Sequence, residues 1–206
     1  ARMADYTYYI FDGAANTAPN FSTFAGARND FVAQNRMGAG TGVVGGGVLY
    51  FKIRGNVTTG GNFNNFAGAG MTVGSGGSVV VEADTDPWNA SAANVMAYGT
   101  SFDSVAFGSG EQFDWSFGCD LTVRNLLMTF SIASDAGMSI TQSPSTIALL
   151  VENCVLEQTA NGTGHPFRTE GSAVVRNTVL RSASTNASSA ALAVNLRHSA
   201  SPTVEH

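Results

Sequence analysis

The sequence predicts an all-β solenoid of stacked parallel strands behind an N-terminal strand–helix cap. Three observations predict it. First, the segments Leu121–Met128, Leu149–Leu156 and Ala173–Leu180 superpose without gaps, sharing valine, a charged residue, asparagine and then mostly aliphatic residues. A fourth copy, Pro202–His206, begins the same pattern. Second, Asn125, Asn153, Asn177 and His206 fall 28, 24 and 29 residues apart, a step that suits one turn of a solenoid. Third, from Gly45 onward short β-rich runs alternate with Gly/Ser/Asn/Thr loops. Helix-period patterns between those runs are nearly absent, which argues against βαβ units.

Each element follows in order. Tyr6–Phe11 is aromatic and β-branched and closes on Asp12-Gly13, so it reads as a strand and turn. Asn20 or Ser22 is placed to cap a helix in which Phe24, Ala27, Phe31 and Val32 share one face. That helix should end by Arg36, ahead of Gly38. Residues 1–45 are thus a cap with one amphipathic helix, and 46–206 the stacked turns. Asp86-Pro87 predicts a short helix reaching about Met96.

Alternation within the repeats assigns faces. Val123, Val151 and Val175 point inward. Arg124, Glu152, Arg176 and Glu205 point outward and alternate in sign, a charge ladder with rungs about 4.8 Å apart. Asn125, Asn153 and Asn177 then turn inward as an asparagine ladder that satisfies its own amides.

These Val-x-Asn-x-x-Leu segments resemble those of right-handed parallel β-helices of the pectate-lyase-like superfamily. The front, with its Tyr-rich strand, Phe21–Arg28 helix and Val48–Val57 strand, resembles the N-terminal cap of β-helices in bacteriophage structural proteins. The resemblance implies a right-handed parallel β-helix. It also implies a role in a virion, as capsid decoration or as a tail-fibre element.

Composition excludes several classes. The chain has 206 residues, 44% hydrophobic and 12% charged, with a net charge of −5, so it is neither disordered nor a basic nucleic-acid binder. No apolar run approaches the length of a membrane span. Cys119 and Cys154 are too few for a disulfide scaffold or a cysteine zinc site. Asp5 and the tyrosines sit where a signal peptide would be apolar, so the chain is expected to be made in a host cytoplasm and carried in a virion. No cofactor is implied.

Candidate chemistry is sparse. Gly40–Gly45 matches G-x-G-x-x-G, but a helix precedes it and a strand follows, the reverse of a nucleotide site. Glu82, Asp84, Asp86 and Asn89 are a weak cation candidate. Asp103, Asp114 and Asp120 are the acids that a glycan-cleaving enzyme would need. Phe113, Trp115 and Phe117 share a strand face and offer a glycan platform or a subunit interface. Gly164-His165-Pro166 and the Arg168/Glu170 pair only partly echo the enzymes of the superfamily. No catalytic residue is assigned.

Two functions therefore stand at this point. One is a structural virion protein, expected to be a homo-oligomer, with a homotrimer as the specific guess, whose open last turn at His206 a partner covers. The other is a carbohydrate-active module, either a depolymerase or a glycan-binding spike recognising a cell-surface glycan. The second requires the three acids to meet at one surface.

Overall fold

The computed structural model describes residues 4–60, 71–74, 76–84, 103–115, 118–140, 148–169, 173–183, 194–196 and 203–205. The chain opens with strand β1 (Tyr6–Phe11), the short β2 (Asn20–Phe21) and helix α1 (Phe24–Ala33). The aromatic run forms β1 as the sequence predicts. The helix is capped by Thr23 rather than by Asn20 or Ser22: its Oγ1 accepts from the Gly26 backbone N–H at 3.1 Å. Asn20 instead pairs with β1, and Ser22 donates its backbone N–H to Asn16. Phe24, Ala27 and Phe31 are buried from one helix face, as expected, together with Ala25 and Arg28.

The largest sheet has eight strands. Its spatial order is β2, β1, β4 (Val48–Arg54), β7 (Ser78–Ala83), β10 (Asp120–Arg124), β13 (Leu149–Glu152), β16 (Val174–Arg176) and β19 (Thr203–Glu205). A second sheet orders β5 (Asn56–Thr58), β8 (Ser104–Phe107), β11 (Leu127–Phe130), β14 (Val155–Gln158) and β17 (Val179–Ser182). A third orders β9 (Phe113–Trp115), β12 (Ala136–Ile140), β15 (His165–Thr169) and β18 (Val194–Leu196). Two short strands, β3 (Val43–Val44) and β6 (Thr72–Val73), pair by themselves.

This corrects the expected fold class. The expectation was an all-β right-handed parallel β-helix; the observed protein is a set of parallel sheets with helix, closer to an α/β-type fold. The finding that overturns it lies at the front of the chain. Strands β1 and β4 pair in parallel over Tyr6↔Leu49 to Phe11↔Arg54, and the connection between them carries α1. That is a helical crossover of the kind the sequence argued against. The reason is physical: the inner face of β1 is too aromatic to be covered by a loop. Tyr8 packs against Phe21, Phe31 and Phe51 with ring centroids 5.5–6.5 Å apart, and burying that surface takes a helix face. The short helix expected from Pro87 to Met96 lies outside the described residues.

A polar lock fixes the crossover. The Tyr8 hydroxyl donates to Asp30 Oδ2 at 2.6 Å, and Arg36 donates to both oxygens of the same carboxylate at 2.9 and 2.7 Å. Burial opposes ionisation of Asp30, but the hydrogen bonds from Arg36 and Tyr8 outweigh it and hold its carboxyl below the usual range. A depressed acid stabilises the fold above the unfolded pKa of about 3.9, and that contribution is lost as pH falls through the lower folded value. Asp30→Asn should therefore be less stable than the native chain near neutrality. The gap should close in acid, as read from urea midpoints at both pH values.

The repeat asparagines occupy the bends between the first and second sheets. Asn125, Asn153 and Asn177 take φ of 61°, 51° and 47°. The left-handed conformation costs an ordinary L-residue roughly 1–2 kcal/mol and asparagine less. The inward orientation expected for them is therefore corrected. The left-handed residue breaks the alternation and leaves all three half-buried at the bend. Asn153 Nδ2 still donates to Asn125 Oδ1 at 3.2 Å. Asn153→Gly should cost less than about 1 kcal/mol because it loses only that bond. Asn153→Ala should cost about 1–2 kcal/mol through backbone strain, and Asn153→Val more. Urea denaturation of the three variants would give that order.

The core is one continuous cluster running from Tyr8 to Val175 between the sheets. Two glycines permit close approaches: a Cβ at the buried Gly137 would overlap the Phe130 ring, and one at the half-buried Gly162 would overlap the carbonyl of the exposed Ala133.

Candidate functional site

The outer face of the eight-stranded sheet carries one column of charges in strict register. Lys52 pairs with Glu82, Glu82 with Arg124, Arg124 with Glu152, Glu152 with Arg176, and Arg176 with Glu205. The sequence predicts the last four. It misses Lys52 and Glu82 because Ile53 and Ala83 stand where the later repeats have asparagine. The signal was present all the same: Phe51-Lys52 and Val81-Glu82 repeat the step from buried apolar to charged residue seen at Val123-Arg124.

The charges form close pairs. Glu82 accepts from Arg124 at 2.6 Å and meets Lys52 Nζ at 3.2 Å. Arg176 donates Nε and Nη2 to one oxygen of Glu152 at 2.8 and 2.6 Å. Arg54 pairs with Asp84 at the strand ends. Heights differ by sign. The Arg124 and Arg176 side chains are 41% and 43% exposed, whereas Glu82 and Glu152 are 8% and 15%. Long guanidinium stems lie over short carboxylates, so cations stand proud and anions sit in recesses. Between them lies an open cleft of about 420 Å³, to which Asn125 and Asn153 add their amides.

A second column runs beside the first: Tyr50, Val80, Thr122, Leu150 and Val174, in register across five strands. All five are half-exposed. The outer face of this sheet is therefore an apolar stripe flanked by an alternating charge stripe.

The structure separates the three acids that glycan cleavage would need. Asp103 precedes β8 in the second sheet, is buried, and accepts from the Gly55 backbone N–H at 2.7 Å. Asp114 is in β9 of the third sheet, level with Ser139. Asp120 begins β10 in the first sheet and accepts from the Ala148 N–H at 2.9 Å. One passage of the chain past all three sheets lies between residues 103 and 120, so neighbours in sequence end on different faces. The expected cluster is corrected accordingly.

The aromatic platform is corrected too. Phe113 and Trp115 are both fully buried, with parallel rings 6.3 Å apart, so they face the core and not a ligand. Phe117 lies outside the described residues. Of the weak cation set, Glu82 and Asp84 are committed to ion pairs, while Asp86 and Asn89 lie outside the described residues. No group of three or more His, Cys, Asp or Glu that could hold a metal ion occurs among the described residues.

The remaining candidates have structural partners. Arg168 donates Nη1 to Asp135 at 2.6 Å and Nη2 to Ser139 Oγ at 2.8 Å, stapling β15 to β12. His165 is the first residue of β15. Glu170, the expected partner of Arg168, lies outside the described residues. The Gly40–Gly45 segment lies after α1, contains β3 and leads to β4, so no helix begins where a phosphate would sit. Cys119 and Cys154 are free and buried, and burial pushes both thiols up to about 12. Glu111 escapes the sequence reading. It is buried, accepts from the Gly108 N–H at 2.7 Å and from the Thr59 hydroxyl, and clips a turn to the end of β5.

Compared with family models, curated proteins and solved structures, the chain has no match.

Proposed function

We propose that this chain is a structural component of a bacteriophage particle, a decoration or tail-fibre-type element that works by assembly and surface contact. One observation carries the reading. The charged side chains best placed to act on a ligand are spent on joining one strand to the next, and the three acids that hydrolysis would need sit one to a sheet. Parallel sheets crosslinked in this way make a stiff scaffold, and stiffness with a patterned outer face suits a particle component. The resemblance of the front of the chain, its Tyr-rich strand, Phe21–Arg28 helix and Val48–Val57 strand, to the cap of bacteriophage structural proteins points the same way.

The test is the composition of purified particles from the source that encodes the chain. The expected result is the chain at a fixed copy number per particle. Finding it only in the soluble fraction of lysates would overturn the proposal. So would release of reducing ends from bacterial surface polysaccharide that is lost in an Asp103→Asn, Asp114→Asn or Asp120→Asn variant.

A further inference from the structure

We propose that the outer face of the eight-stranded sheet is a self-association surface, on which a second copy of this chain packs face to face across a two-fold axis. The inference rests on the assembly reading and deepens it by naming the surface and the symmetry.

The symmetry follows from the order of the charges. Consider an axis parallel to the strands, between β10 and β13 and midway between two facing sheets. Rotation about it keeps strand direction and reverses the strand order. Arg124 then lies opposite Glu152 of the partner, and Glu82 opposite Arg176 of the partner. Every sign meets its opposite, because the column alternates and the axis falls between two rungs. An axis through a strand would set like against like.

Shape inverts along with sign. Arg124 and Arg176 protrude and Glu82 and Glu152 are recessed, so the same rotation places each raised guanidinium over a recess of the other copy. The neighbouring column is also self-complementary. Val80 meets Val174 of the second copy, and Thr122 meets Leu150, giving an apolar seam beside the charged one. Self-complementarity of a single patch is the requirement of an isologous dimer. Net charge argues from the same side. The three cations and three acids of this column sum to zero, whereas the chain carries −5 overall, so two copies meet here without the like-charge repulsion of their acidic remainder.

Area sets the size class. Six strands about 4.8 Å apart and about five residues long cover roughly 500 Å² per copy, or about 1,000 Å² in total, the lower bound for a specific interface. The dimer should therefore belong to the weak, transient class and shed affinity as salt rises.

The experiment has two parts, both on the full chain. Sedimentation over a concentration series should give a monomer–dimer equilibrium, and Leu150→Asp should raise its dissociation constant at least tenfold while circular dichroism stays native. In the second part, chains carrying Val80→Cys are mixed with chains carrying Val174→Cys, whose strands lie three spacings apart in one copy, and treated with a thiol-specific crosslinker spanning about 10 Å, the usual face-to-face sheet separation. Cys119 and Cys154 are buried and should not react. The mixed crosslinked dimer should form in preference to either like pair. A monomer at every concentration, a trimer, or a dimer that crosslinks no better in the mixture than alone would each overturn the two-fold. A monomer that sediments with an acidic polysaccharide would overturn it in favour of a ligand on this face. Finding the chain in particles but monomeric in solution would defeat this inference and leave the particle assignment standing.

Discussion

Replacing Trp115 with alanine will lower the unfolding free energy by about 3–5 kcal/mol, the usual cost of emptying a large aromatic site in a closed core. Trp115 is fully buried and stacks on Phe113, which is itself fully buried. Phe113 packs edge-on to Phe107, and Phe107 lies 4.7 Å from Phe130. These rings join the second and third sheets, so a cavity there has no flexible wall to collapse upon. Trp115→Phe should cost clearly less, because much of the volume is kept. Urea denaturation followed by circular dichroism measures both. The alternative role gives the opposite result. A tryptophan held out to stack on sugar would be removed at little cost to stability and with a large loss of glycan binding. A Trp115→Ala chain as stable as the native one would mean that this side chain does not lie between the sheets.

That residue also shows how far the sequence could be read. Phe113, Asp114 and Trp115 alternate as a strand should, and the alternation correctly places the two rings on one side. It cannot say which side is the core, because a two-faced strand looks the same from either direction. The repeats around Asn125, Asn153 and Asn177 were legible for a different reason. Each bend needs a left-handed residue, and asparagine tolerates that conformation, so a backbone requirement is written as a letter. Where the bend falls on Gly55, with φ of 69°, or where Ala83 precedes it, the letter changes, and Lys52 and Glu82 lack the asparagine that marks the later members of the charge column. Strands β12 and β15 carry no strand signal in the sequence. Ala136–Ile140 contains a glycine and one β-branched residue, and His165–Thr169 contains a proline, so neither advertises a strand. Their pairing comes from the sheets on either side and not from local preference. The helical crossover was illegible as such. The helix itself is visible in the spacing of Phe24, Ala27 and Phe31, but that β1 and β4 become parallel neighbours is a fact of tertiary packing alone. The acids failed as a site for the same reason: closeness along the chain says nothing once each passage visits three sheets.

Glu82→Ala should be the costliest change on the surface, at about 2–3 kcal/mol. Removing one partner of a recessed pair leaves its counter-charge uncompensated. Here one carboxylate serves two cations, Lys52 at 3.2 Å and Arg124 at 2.6 Å, and is only 8% exposed. Its loss turns an alternating column into one with two cations facing each other across the gap. Both cations are partly exposed and can swing toward water, which keeps the effect below that of a fully buried pair. Glu152→Ala offers the internal comparison. Glu152 is also recessed, at 15% exposure, and is bound by Arg176 through two nitrogens, so its removal should cost less, about 1–2 kcal/mol. Salt separates the charge effect from packing. Added salt should narrow the gap between Glu82→Ala and the native chain by screening the exposed cation–cation repulsion. A Glu82→Ala, Arg124→Ala double variant should be more stable than the sum of the two single losses, because the second change removes one of the stranded charges. A strictly additive pair would mean that the column is a row of independent surface residues. The two-fold would then lose the fixed order of raised and recessed charges on which it depends.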